Sequence, residues 1–308
     1  MMRNYLLFLL IFAAINGQCS VTERAQSGLK PGTGTNADSS FNLSFMTWNV
    51  EMLPRMFFFL HHKPVIRARI IPRHLLEDKP DVIVFQEAFD LKAVRILKRK
   101  MKKVYPYVIG PANRKALGFK INSGVMIMSK LPMREIETIR YSNCAGDDCF
   151  ARKGALLVEM EANGRKFQLL GTHMQAGGTK EIKSSQYQQA GDLLRRHTIT
   201  GEPQVICGDF NTFQSDTSLY PLMIKNLEAE NGPFTGALKY TSDHLVNDLC
   251  DDLGKPNCER DVIDYILYRS NGNPFKKVMR RVIEYLQPWH KKHKYLSDHN
   301  AVLMQVKW

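Results

Sequence analysis

Five apolar runs in this chain each lead into a polar side chain able to hold a metal or a phosphate. They are MTWNV (46–50) with Asn49, VIVFQE (82–87) with Glu87, LLGTHMQ (169–175) with His173, VICGDFN (205–211) with Asp209 and Asn211, and LSDH (296–299) with Asp298 and His299. Short runs rich in Val, Ile, Leu and Phe read as strands, and a polar group at a strand end is carried on a rigid support. A single run of this kind says little. Five of them demand a β scaffold whose strand ends meet at one place. Carboxylate, amide and imidazole groups gathered there suit a hard divalent cation bound through oxygen, with open positions for water and a phosphate ester.

Strands are expected at 43–49, 81–86, 123–129, 153–160, 166–173, 203–208, 262–268 and 301–307. Between them, residues 64–78 repeat apolar positions at helical spacing and stop before Lys79-Pro80. Residues 91–104 place Leu91, Val94, Leu97, Met101 and Val104 on one stripe, and 181–197 forms a third helix after THMQ. Asn163-Gly164 marks a hairpin between two of the strands. Hairpin links mixed with helical crossovers predict an α+β fold of two packed sheets flanked by helices. Metal-type and base-type residues are expected at strand C-termini or just beyond.

The first residues, MMRNYLLFLLIFAAINGQCS, pair a basic start with an apolar stretch too short to span a bilayer. We expect 1–18 to be a signal peptide, 19–40 a Gly/Ser/Asn-rich spacer and 41–308 one catalytic domain. A secreted, extracellular protein follows, with lipid anchoring at Cys19 as a lesser alternative. Export permits disulfides, and Cys144/Cys149 and Cys250/Cys258 are close pairs that could each staple a loop, leaving Cys207 as a buried thiol. The charge, 43 Lys+Arg against 30 Asp+Glu for a net +13, draws the chain towards polyanions: nucleic acid or an anionic lipid surface. The basic run KAVRILKRKMKKV (92–104) is a solvated helix face or a track for such a polyanion.

Taken in order, Asn49, Glu87, His173, Asp209 with Asn211, Asp264 in DYIL, and Asp298-His299 resemble the endonuclease/exonuclease/phosphatase superfamily, relatives of DNase I and the abasic-site nucleases. The resemblance spans about residues 43–308 and implies a four-layer α/β/β/α sandwich of two mostly antiparallel sheets. The segment NCAGDDCFARKGALLVEM (143–160) and the THMQ motif further resemble the neutral sphingomyelinase branch, in which Asp148 and Lys153 stand at the places of a switch pair. A surface turn with an ordinary ion pair is the plainer meaning of those two residues.

The resemblance implies Mg²⁺ as cofactor, with Mn²⁺ or Co²⁺ as alternatives, held by Glu87 and Asn49 beside Asp298. It also implies His299 as general base, Asp264 as its partner, Asp209 orienting water, and Asn211 and His173 on the phosphate. His173 is alternatively the proton donor to the leaving oxygen. The implied activity is cleavage of sphingomyelin to ceramide and phosphocholine by a monomer that needs no obligate protein partner. A membrane-borne substrate requires an interfacial contact, and Phe57, Phe58, Phe59 and Trp289 are the candidates, with His290–Lys294 for headgroups. Core packing of the phenylalanines is an equal alternative. Secretion of a metal-dependent endonuclease is the competing enzymatic reading, and a non-catalytic membrane-binding protein the third.

Overall fold

The computed structural model describes residues 42–54, 62–114, 121–250 and 259–308. The expected signal peptide and spacer, the Phe57–Phe59 cluster and Cys258 fall outside the described residues.

The elements run β1 (Leu43–Met52), α1 (Pro64–Asp78), β2 (Val82–Ala88), α2 (Leu91–Met101), β3 (Tyr107–Ile109), β4 (Met126–Ser129), β5 (Met133–Arg140), β6 (Gly154–Ala162), β7 (Arg165–His173), α3 (Lys180–Arg196), β8 (Gln204–Asp209), α4 (Leu219–Leu227), β9 (Phe234–Thr235), β10 (Ser242–Asp243), β11 (Arg260–Asp261), β12 (Asp264–Arg269), β13 (Lys277–Ile283) and β14 (Ala301–Lys307). One sheet has the order β3-β4-β2-β1-β14-β13-β9, the other β12-β8-β7-β6-β5, and β10-β11 pair apart. Within the two large sheets β1–β2, β13–β9 and β7–β8 are the parallel pairs; the others are antiparallel.

Strand alternation builds the layers. Leu43 and Phe45 of β1 enter the apolar layer between the sheets, among Val84, Leu169, Val205 and Met304. Their neighbours Met46, Trp48, Val50 and Met52 pack outward on Ile71 and Leu75 of α1 and Leu97 of α2. Beyond the other sheet, Leu170, Ile206 and Leu267 meet Tyr187, Leu194, Met223 and Leu227 of α3 and α4. The order is therefore helices, sheet, sheet, helices, the expected four-layer sandwich. At one end the inner rows turn polar. β1 reads Phe45, Thr47, Asn49; β7 reads Leu169, Gly171, His173; β8 reads Val205, Cys207, Asp209.

Two local devices support this arrangement. The β6–β7 hairpin turns at Asn163 and Gly164, both with positive φ (53° and 74°), as a primed two-residue turn requires. A Cβ on Gly171 would stand 2.9 Å from Val84 Cγ1 and 3.1 Å from Val125 Cγ1, so the layers meet there more closely than a side chain allows.

The structure departs from expectation in instructive places. Strands β5 (MREIETIR) and β13 (KVMRRVI) were not anticipated because their charges hide the alternation. Such charges suit strands at or near a sheet edge, where they discourage further pairing. α4 was missed because Pro221 interrupts its pattern, yet Pro in a first turn removes no helical hydrogen bond. α2 stops at Met101 and not 104, although Val104 still packs on the core. Asp264 and His299 come at or just before strand N-termini, not C-termini, because β12 and β14 run antiparallel to β8 and β1.

Gly171→Val should overpack the layer between the sheets and lower the unfolding free energy by about 1–3 kcal/mol in urea titrations. An unchanged midpoint would show that the sheets part there without cost.

Candidate active site

The polar ends of both sheets converge at one mouth. Asn49 Nδ2 donates across the layers to Asp209 Oδ2 (3.0 Å), and Asn49 Oδ1 accepts from the Glu51 N–H (3.1 Å). Parallel pairing sets His173 beside Asp209, and antiparallel pairing sets Asp264 on its other side. His173 Nε2 lies 3.5 Å from Asp209 Oδ2 and 4.0 Å from Glu87 Oε1. His299 Nδ1 bonds Asp264 Oδ2 at 2.9 Å, and its Nε2 is 3.9 Å from Asp209 Oδ2. Asp209 thus stands between two imidazoles.

The loop that carries His299 is fixed to β1. Ser297 Oγ donates to Asn49 O (2.6 Å), and Trp48 Nε1 donates to His299 O (2.9 Å). Arg67, fully buried on α1, donates to the carbonyls of His62 (2.6 Å), Val50 (2.8 Å), Leu296 (2.9 Å) and Glu51. One guanidinium therefore ties the end of β1 to the segment preceding Asp298-His299, a role nothing in the sequence pattern of α1 announced.

Backbone strain gathers here as well. Glu51, Glu87 and Asn211 have φ of 46°, 55° and 50°, a left-handed conformation that costs a non-glycine residue on the order of 1 kcal/mol or more. At Glu87 the left-handed turn breaks strand alternation at the end of β2. Gly124 allows the neighbouring chain to approach, because a Cβ there would lie 2.9 Å from the Glu87 backbone. Asn211 is held on three sides: its N–H donates to Asp209 Oδ1 (2.8 Å), its Nδ2 to Met174 O (3.0 Å), and Lys183 Nζ donates to its carbonyl. Lys183, buried on α3, was also missed, since one lysine on an amphipathic helix carries no sequence signal.

The expected switch pair is an ion pair. Lys153 Nζ lies 2.7 Å from Asp148 Oδ1 and donates to Met174 O (2.9 Å), the carbonyl that also accepts from Asn211. Asp148 Oδ2 accepts the Ala176 N–H (2.7 Å), and Asp148 lies in the loop closed by the Cys144–Cys149 disulfide. Of the two bridges that the close cysteine spacing allows, Cys144–Cys149 is present, and Cys207 is buried in β8.

Charges at the mouth disturb one another strongly. Glu87 is pushed up to about 8, by burial first and then by Asp298. Burial, with Asp298 next, also raises Glu51. Asp209 rises to about 6 through burial and the Asp264 carboxylate. Burial, Lys153 and His299 hold His173 well below the usual imidazole range, so its ring is neutral. Burial alone would lower His299, but Asp264, Asp298 and Asp209 outweigh it and hold the ring well above that range. Glu87, Glu51 and Asp298 form an acidic side on which Arg67 and His62 approach Glu51 (3.5 and 2.5 Å), yet Glu87 and Glu51 are still raised by burial and by Asp298. Clustered carboxylates that raise one another, with their hard oxygen donors, fit a divalent cation of the Mg²⁺ type. Asp209, Asp264 and His299 also each bring one ligand atom within 4.8 Å of the others, a second geometry a metal would accept.

Trp289 is half-buried against the core, donates Nε1–H to Tyr295 O (2.7 Å) and stacks on His293.

The endonuclease/exonuclease/phosphatase family pattern matches residues 46–299. The chain belongs to that family. It is 28% identical to a phospholipase C of Staphylococcus aureus over 72% of this chain and 73% of the relative. It is likewise 28% identical to a sphingomyelinase C of Bacillus cereus over 88% of this chain and 91% of that one. A beta toxin structure from Staphylococcus aureus superposes with a TM-score of 0.76 at 26% identity, covering 85% of this chain and 99% of the toxin. A variant of that toxin, solved with bound magnesium ions, superposes with a TM-score of 0.74 at 24% identity, covering 86% and 100%. The chain is a phosphoric diester hydrolase.

Asp264→Asn should lower kcat for phosphodiester cleavage by roughly 10²–10⁴-fold with thermal stability little changed, because the amide can donate to Nδ1 and fix the wrong tautomer. Activity within twofold of wild type would remove Asp264 from the chemistry.

Proposed function

We propose that the protein is a secreted, Mg²⁺-dependent phosphodiesterase that cleaves sphingomyelin to ceramide and phosphocholine. The observation that carries this reading is the convergence of Glu87, His173, Asp209 and the His299–Asp264 pair on one mouth, in a chain with sphingomyelinase relatives over most of its length. Secretion is supported by the apolar leader at 5–14 and by a disulfide that persists in oxidising compartments.

Glu87, Asn49 and Asp298 would hold the cation. A cation held there would polarise the phosphate and reduce the carboxylate charge acting on His299. Asp264 occupies Nδ1 of His299, leaving Nε2 to take the proton of a water at the phosphorus. Asp209, 3.9 Å from that Nε2, orients the water. His173, neutral because it is buried beside Lys153, donates an N–H to a phosphate oxygen as the charge on it grows. This favours phosphate binding over protonation of the leaving oxygen. Asn211 spends one amide hydrogen on Met174 O and keeps the other for the phosphate. The Asp148–Lys153 pair supports this wall through the same carbonyl, so a change in that pair would be felt at Asn211.

Sphingomyelin vesicles treated with the purified chain should release phosphocholine. EDTA should abolish release, Mg²⁺ should restore it, and His299→Ala should reduce it by roughly 10²–10⁴-fold. Nicking of plasmid DNA with no phosphocholine release would overturn the reading in favour of a nuclease.

A further inference from the structure

We propose that the outer face of α2 binds a linear sulfated polysaccharide. This surface lies apart from the mouth and takes from the function above only the extracellular location, where such chains occur. Lys92, Arg95 and Arg99 on α2, and Lys102 and Lys103 at its end, are all exposed. With 3.6 residues per turn and 1.5 Å of rise each, they fall within an arc of about 100° and form a row about 16 Å long.

Nothing within the protein offsets this charge. α2 (LKAVRILKRKM) contains no acidic residue, and none of the five side chains forms an ion pair among the described residues. Lys98 and Lys100, on either flank of the row, differ in that they donate to carbonyls, Gly110 O (2.8 Å) and Arg69 O (3.1 Å). Helix stability does not account for the row either. Cations suit the last turn, but Lys92 and Arg95 stand near the positive N-terminal end, where they are unfavourable. Arg95 and Arg99 are like charges four residues apart, which weakens a helix further. Val94, Leu97 and Met101 on the opposite side already hold α2 to the core. The row therefore costs stability, and an anionic partner removes that cost.

Its position and composition select the partner. α2 begins shortly after Glu87, beside the mouth, and runs back along the outside of the sandwich. Tyr105, just past its end, donates to Pro80 O (2.9 Å) at the start of β2. A bilayer facing the mouth would therefore meet only the first turn of α2. Single-stranded nucleic acid is held by aromatic rings set among the cations, and α2 has none. A DNA duplex spans a groove about 12 Å wide with two phosphate strands and calls for a second basic row. The neighbouring helix instead shows a mixed face of Ile66, Arg69 and the Arg73–Glu77 pair (3.2 Å). A linear chain of sulfates needs only one straight row, and a Lys/Arg-rich segment of this length meets it by charge complementarity. Guanidinium groups such as those of Arg95 and Arg99 also grip an oxyanion with two parallel hydrogen bonds.

The full secreted chain should be titrated, at one near-physiological salt concentration, with four probes. These are a heparin oligosaccharide long enough to span the row, the same oligosaccharide stripped of sulfate, duplex DNA, and phosphatidylserine vesicles. The sulfated oligosaccharide should bind best, and removal of its sulfates should weaken binding by roughly tenfold or more. Arg95→Glu with Arg99→Glu should weaken it on the order of thirtyfold and flatten its salt dependence. Lys225→Glu with Lys239→Glu makes the same change in net charge at exposed lysines on α4 and before β10, and should alter binding by less than about threefold. Wild-type-like thermal midpoints would show that both variants fold. If the charge reversal does not fold, Arg95→Gln with Arg99→Gln tests the same row, with an expected loss of about tenfold. An equal loss in the Lys225/Lys239 variant, tighter binding of DNA or vesicles than of the sulfated oligosaccharide, or no binding of that oligosaccharide would each overturn the proposal. None of these measurements needs turnover, so failure to cleave sphingomyelin would count against the function and leave the binding result readable.

Discussion

A hydrogen bond from Asn49 of β1 to Asp209 of β8 joins the two sheets at the mouth. It can form only because the apolar rows between the sheets give way to polar residues at the same level on both. Phe45 and Leu169 hold the layers together deeper in the sandwich; Asn49, His173 and Asp209 face one another where that packing ends. The pairing of β8 with β7 and β12 then fixes a row of His173, Asp209 and Asp264, and β14 brings His299 in from the opposite sheet. A slip of one residue in any of these strands would turn its polar group into the helix layer.

Holding so many charges out of water is costly unless they offset one another. The mouth divides into an acidic side, Glu51, Glu87 and Asp298, and a side where Asp209 and Asp264 lie beside His299, with Lys153 and Lys183 behind. On the second side protein cations reduce the cost. On the acidic side Arg67 spends its short hydrogen bonds on backbone carbonyls, and its approach to Glu51 Oε2 is a looser 3.5 Å. A metal ion bound there would add positive charge beside Glu87, linking the binding energy of the metal to the tolerance of that strained, left-handed residue.

Much of this was legible in the sequence because strand ends are local signals. A Val/Ile/Leu run followed by Asn, Glu, His or Asp can be read without knowing its partners, and all eight site residues from Asn49 to His299 lie at the mouth the structure forms. Edge and near-edge strands were hidden because β5 and β13 carry charge where alternation would be sought. Arg67 and Lys183 were hidden for a different reason: each acts on backbone carbonyls from a helix, and a carbonyl leaves no trace in the sequence. Trp289 reads as an outer anchor because an aromatic in a basic loop looks interfacial; its ring is half-buried and also stacks the loop on itself.

Two metal placements can be distinguished at the mouth: the proposed one at Glu87 and Asp298, and one within reach of Asp209, Asp264 and His299. Only the first leaves His299 Nε2 free to accept a proton. Anomalous diffraction at the manganese edge, from crystals grown with Mn²⁺ in place of Mg²⁺, separates them directly. The expected result is a peak within oxygen-ligand distance of Glu87 with none on His299; a peak bonded to His299 and Asp264 would contradict a general-base role for that histidine and the mechanism built on it.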